Sequence, residues 1–171
     1  VHVEDFLAVE ADLHRAAEAL GTIHILANCA ARVGGTIPDN METISDEQIV
    51  KDFEEKFLGY YRCARAAAPY MKQAGWGRIV NLSGGAGRTP GTGISTPARN
   101  IACVALTKSL ANTLGPYGIN VNAIYPGTTM TEAVSERLRE QAKRQGKTLE
   151  AHLDELRQRS VIRHLVSAED V

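Results

Sequence analysis

The chain has 171 residues, enough for one domain with a buried core. It is 44% hydrophobic and 23% charged with a net charge of -1, a balance that argues against nucleic acid as the main partner, since phosphate binding wants a basic face. No apolar run reaches the roughly 20 residues needed to span a bilayer, and Cys29, Cys63 and Cys103 have neither disulfide-framework nor metal-ligand spacing.

A reduced, cytoplasmic setting follows from the cysteines, with no metal site, no membrane and no nucleic-acid partner. In chain order, Phe6, Val9, Leu13, Ala17 and Leu20 recur at helical spacing, with Asp5 as N-cap and Gly21 as stop. "TIHILAN" (22–28) predicts a short buried strand, and residues 31–44 a loop holding Gly34, Gly35 and Pro38. "SDEQ" (45–48) has the pattern of a capping box, Ser45 with Gln48, opening a long helix to about Gln73. "GRIVNLS" (77–83) predicts the next strand, followed by a glycine-rich loop and a helix from about Ala98 to Leu114 that ends at Gly115-Pro116. "INVNAIY" (119–125) predicts a third strand, closed by Pro126-Gly127. Two polar helices, roughly 131–145 and 148–159, complete the chain.

Apolar strands alternating with helices predict a Rossmann-like doubly wound α/β fold, a parallel sheet covered on both faces. Ligands of such sheets bind beyond the carboxyl ends of the strands. "ANCAA", "SGGAG" and "PGTTMT" each follow a predicted strand, so they are predicted to line one crevice. In the first, Asn28, Ala30 and Ala31 offer small side chains against which a flat ligand could lie; the alternative is tight packing of the next loop. In the last, Pro126 and Gly127 make a rigid turn before Thr128 and Thr131, where helix N–H groups attract phosphate or carboxamide oxygens; the alternative is that a threonine only caps the helix. The glycines after Ser83 match neither G-x-G-x-x-G nor a P-loop. Ser83 is a candidate hydroxyl at a strand end, or a residue bonded to its own turn. No G-x-S-x-G surrounds it. The five histidines show no metal spacing, and most read as surface or rim residues.

These segments, in this order, resemble the short-chain dehydrogenase/reductase family. "IHILANCAA" is similar to its strand ending in Asn-Asn-Ala-Gly, and "GWGRIVNLSGGAG" to its "GRIVNISS" strand. "ALTKSLANTLGPYGINVNAIYPGTTMT" resembles its helix, strand and Pro-Gly-x-x-x-Thr segment, and "IRHLVSAEDV" a late stretch of the domain. The resemblance implies NAD or NADP as cofactor and hydride transfer on a small-molecule carbonyl or alcohol substrate. It implies Asn28, Ala30, Ala31, Pro126, Gly127, Thr128 and Thr131 at the cofactor. It also implies a homodimer or homotetramer paired through the two long helices. Residues 1–171 are expected to form a single partial domain, incomplete at both ends: the first βαβ half with its glycine fingerprint, and the last strand, have no counterpart here.

The proton-transfer positions depart from the family. It uses a serine, a tyrosine thirteen residues on and a lysine four further, the lysine lowering the tyrosine pKa. Aligned without a gap, these positions fall on Gly84, Pro97 and Ile101, and no Tyr-x-x-x-Lys occurs in the chain. Ser83 stands one residue off the serine. Lys56 aligns with the family's helix asparagine, which serves a proton relay, and is read either as an amine near the crevice or as a solvated lysine. Three outcomes are open: an oxidoreductase acting through Ser83 and Lys56, an inactive paralogue serving as subunit or scaffold, or a truncated gene product.

Overall fold

The computed structural model describes residues 3, 5–31, 39–88 and 93–171. The predicted loop residues Gly34, Gly35, Pro38 and Gly91 lie outside them. Two compact units, Val1–Tyr125 and Pro126–Val171, divide the chain.

In the first unit, helix α1 (Phe6–Leu20) begins where the Asp5 carboxylate accepts the Leu7 and Ala8 N–H groups and ends at left-handed Gly21. Strand β1 (Ile25–Asn28) is followed by helix α2 (Asp46–Phe53), opened by the predicted Ser45–Gln48 capping box. The long helix predicted from there is interrupted by a π-helical turn, Glu54–Leu58, before it continues as α3 (Gly59–Ala74). Strand β2 (Gly77–Leu82), a 3₁₀ turn (Gly85–Gly87), helix α4 (Ser95–Leu114) and strand β3 (Ile119–Ile124) follow. The three strands are parallel in the order β1-β2-β3, as the alternation of strand and helix requires.

The core lies on one face of this sheet. Ala17 of α1, Ala64, Ala67, Ala68 and Met71 of α3, and Leu114 of α4 pack with Ile79, Ile119 and Val121. Alanines let α3 approach closely, and each buried Ile or Val contributes about 1.5–3 kcal/mol. The other face differs from the two-sided covering expected. Ile25 and Ile124 point to it and are 65% and 40% exposed. The Rossmann-like parallel architecture is present, and the described helices cover one side of it.

In the second unit, strand β4 (Thr129–Met130) pairs in parallel with β5 (Val166–Ser167), and helices α5 (Glu132–Arg144) and α6 (Leu149–Arg159) pack together. Thr131 and Thr148 cap the two helices. Leu138, Ala142 and His152 are buried, while His14, His24 and His164 are exposed, as expected of most of the histidines. No helix among the described residues is long and apolar enough to cross a membrane.

Candidate active site

The carboxyl end of β2 is closed by a ladder of buried polar groups between the α2–α3 helix and α4. On the lower rung, Ser95 Oγ donates to Asp52 Oδ2 at 2.7 Å, and Arg99 Nη1 lies 3.4 Å from Asp52 Oδ1. On the upper rung, one turn along, Lys56 Nζ donates to Asn100 Oδ1 at 2.8 Å and to the Ser83 carbonyl at 2.9 Å. Ser83 Oγ donates to the Asn100 carbonyl at 2.9 Å. Asp52, Lys56, Ser83, Ser95, Arg99 and Asn100 are all under 9% exposed, so Lys56 is a buried amine and not a solvated one. The π turn carries it: Gly59 N–H reaches back to Glu54 O, and such turns recur where a helix must re-aim a side chain.

Burial pushes the Lys56 amine down from 10.5 to about 8, with Cys103 opposing and Arg99 assisting. The Tyr60 ring lies 5.9 Å from that nitrogen, and its hydroxyl donates to Leu82 O. Burial drives the Tyr60 phenol well above its ordinary range. At the amino end of α4, Asp39 accepts the N–H groups of Ile94, Ser95 and Thr96. Burial raises its carboxyl, but hydrogen bonds from the Thr96 side chain and those N–H groups outweigh it and hold it below the ordinary value.

Asn28 is buried, and its amide donates to Asn81 Oδ1 at 2.8 Å; Asn81 in turn donates to Thr107 Oγ1 at 2.9 Å. Its side chain therefore ties the strands together. Ala30 and Ala31 follow it on the surface beside exposed Cys29. Pro126, Gly127, Thr128 and Thr131 belong to the second unit. Thr131 there accepts the Val134 N–H, Thr129 Oγ1 donates to Gly127 O at 3.4 Å, and Thr128 is exposed. The structure thus brings Ser83 and Lys56 together at one strand end, with Asn28 joined to it through Asn81.

Asn100 faces the strand end, with Thr96 one turn before it, and Ile101 points outward, 48% exposed. A Cβ on Gly84 would stand 2.7 Å from Asn100 Nδ2, so the amide occupies that space. Neither Thr96 nor Asn100 ionises at neutral pH. The sequence reading missed Asp39, Asp52, Arg99 and Asn100. The signal available was Asp52 one turn before Lys56 on a helix facing "STPARN".

Tyr125 follows the last residue of β3 and sits beside Ser83, whose N–H donates to Ile124 O at 2.8 Å. It is half-buried, and the Arg88 guanidinium carbon lies 5.3 Å from its ring centre. Among the described residues no grouping of His, Cys, Asp and Glu is arranged to hold a metal ion.

The short chain dehydrogenase family model matches residues 1–142. A short-chain reductase, NovJ, of Streptomyces niveus is 35% identical over 135 residues, covering 77% of this chain and 50% of that protein. A 3alpha-hydroxysteroid dehydrogenase of Mediterraneibacter gnavus is 35% identical over 136 residues, 78% of this chain and 52% of that protein. The chain spans about half the length of the curated relatives it matches. Among solved structures, an NAD+-bound xylitol dehydrogenase superposes with a TM-score of 0.83 at 23% identity, over 97% of this chain and 65% of that one. YwfH, an NADPH-dependent reductase of bacilysin biosynthesis, gives 0.84 at 22% identity, over 99% and 64%. At such identities the likeness is one of fold.

Proposed function

Because the chain belongs to the short-chain dehydrogenase family, we propose that it is part of an NAD- or NADP-dependent oxidoreductase acting on a small-molecule carbonyl or alcohol. The observation that carries this reading is Lys56: a buried amine at the end of β2, held by Ser83 and Asn100. When bound, the nicotinamide supplies or accepts the hydride. The residues after β1 fit such a ring. Ala30 and Ala31 leave backbone open, while Asn81 holds the Asn28 amide inward and out of that space. The chain has no G-x-G-x-x-G, so no residue is assigned to the pyrophosphate.

Lys56 stabilises negative charge developing on the substrate oxygen, an effect strong where water is excluded. Ser83 fixes the amine through its carbonyl and is itself anchored by Asn100 O. From the family resemblance, Pro126, Gly127, Thr128 and Thr131 are cofactor contacts: Pro126 sets the turn, and the others offer N–H and hydroxyl groups. The two units are proposed to be parts of one domain, and the protein a homodimer or homotetramer. A second reading, a non-catalytic subunit or scaffold that retains the cofactor, is favoured by the neutral Thr96 and Asn100.

Calorimetry with NADH and NADPH, followed by turnover of a ketone panel, tests both. On the first reading Lys56→Met keeps cofactor affinity and loses about 100-fold in kcat. Binding without turnover supports the second reading, and absence of binding sinks both.

A further inference from the structure

Reduction of a carbonyl at neutral pH needs a group that releases a proton to the developing oxyanion and recovers it from water. The Ser83 hydroxyl is a weak acid committed to Asn100 O, and Ser95 is committed to Asp52. Lys56 commits two of its three N–H bonds to Ser83 O and Asn100 Oδ1 and is 5% exposed, so it is left to steady charge on the substrate oxygen and is poorly placed to recover a proton from water. A phenol, ordinarily titrating near 10, is a much stronger acid than an aliphatic hydroxyl. The chain has five tyrosines. Tyr60 is buried and donates to Leu82 O, Tyr70 is bonded to His14, Tyr61 lies on α3 near Arg65, and Tyr117 precedes β3 at the opposite end of the sheet. Tyr125 differs from these four. It alone stands at the carboxyl end of a strand, beside Ser83; it is half-buried, and its hydroxyl, like those of Tyr61 and Tyr117, has no hydrogen-bond partner among the described residues.

We infer that Tyr125 is the proton donor of this site, with the Arg88 guanidinium over its ring as the cation that accommodates the phenolate. The assignment rests on the oxidoreductase reading above. In the reducing direction the Tyr125 O–H bond breaks and its proton passes to the carbonyl oxygen as the carbonyl carbon takes the hydride. The substrate becomes CH–OH, the dihydronicotinamide is oxidised, and the phenolate left on Tyr125 recovers a proton from water. Arg88 is a positioning residue, since it touches the ring and not the reacting atoms.

The test uses the whole chain, NADPH, and 2,3-butanedione as the carbonyl probe. Nitration of wild-type protein by tetranitromethane, mapped by peptide mass, is expected to mark Tyr125 and to be slowed several-fold by NADPH. Tyr125→Phe is expected to bind NADPH within about twofold of wild type and to lose about 100-fold in turnover. Tyr117→Phe is expected to change neither. Arg88→Met is expected to shift the pH profile of kcat while leaving KM in place. Nitration of Tyr125 that NADPH does not slow overturns the assignment, as does a Tyr125→Phe protein that turns over like wild type. Cofactor binding with protection but no wild-type turnover leaves the cofactor reading standing and overturns the proton-donor role. Failure to bind NADPH or NADH removes both. The nitration result on wild type decides the matter if Tyr125→Phe does not fold.

Discussion

Lys56 sits where two requirements conflict. Its ammonium is taken out of water, which raises the free energy of the charged form, yet it is anchored by two oxygens that favour charge. Burial prevails, leaving the amine at about 8 against an ordinary 10.5. The consequence for stability has a definite sign. Below pH 8 the group is protonated in both folded and unfolded chains, and its contribution is constant. Between about 8 and 10.5 the unfolded chain binds more protons, so rising pH stabilises the fold through this group. Cys63 and Cys103, whose thiols burial pushes up, act in the opposite sense at alkaline pH. A difference measurement isolates the lysine: the urea midpoint of wild type relative to Lys56→Met is expected to rise between pH 7.5 and 9.5. A parallel response of the two proteins would contradict a buried, depressed amine. The rung below is held more firmly, because an Asp52 carboxylate left without Arg99 and Ser95 would be an uncompensated buried charge, a loss of about 3–5 kcal/mol in comparable pairs.

At the scale of elements, local signals and long-range ones separate cleanly. The starts of α1 and α2 are written in adjacent residues, Asp5 and the Ser45–Gln48 box. The start of α4 is not. Its amino end is capped by Asp39, brought from another part of the chain, which is why the sequence reading placed the start at about Ala98 and not at Ser95. The π turn is equally hidden, since "EEKFL" carries no breaker. The β2–β3 connection depends on a close backbone approach. Gly118 has a φ of 75°, and a Cβ there would stand 2.3 Å from Gly75 O. Gly118→Ala must displace the end of α3, and it is expected to cost about 2 kcal/mol, read as a drop in thermal or urea midpoint. An unchanged midpoint would show that this approach is not needed.

On the scale of the whole molecule, the three-stranded sheet leaves the outer edges of β1 and β3 unpaired among the described residues. Ile25 and Ile124 on its less covered face are largely exposed. Unpaired edges beside an apolar face favour association. The 171-residue chain is therefore expected to self-associate or to be poorly soluble, measured by light scattering on a sizing column. A sharp, reversible unfolding transition from a monomer would contradict this.

Much of the molecule follows from its sequence alone. Periodicity and caps act over a few residues, so the order of helices and strands, Gly21 as a stop and the position of Ser83 at a strand end were all legible. The succession of "ILANCAA", "IVNLS" and "NAIYPGTTMT" was enough to indicate the family. Tertiary structure alone decided which polar residues are buried and whom they meet. Lys56 reads equally well as a solvated lysine until α4 packs over it, and a one-residue shift separates inward Asn100 from outward Ile101. Tyr125 looks like the end of a strand until the β2–β3 register sets it beside Ser83. Burial and partnership depend on residues distant in the chain, and the chemistry of a site depends on both.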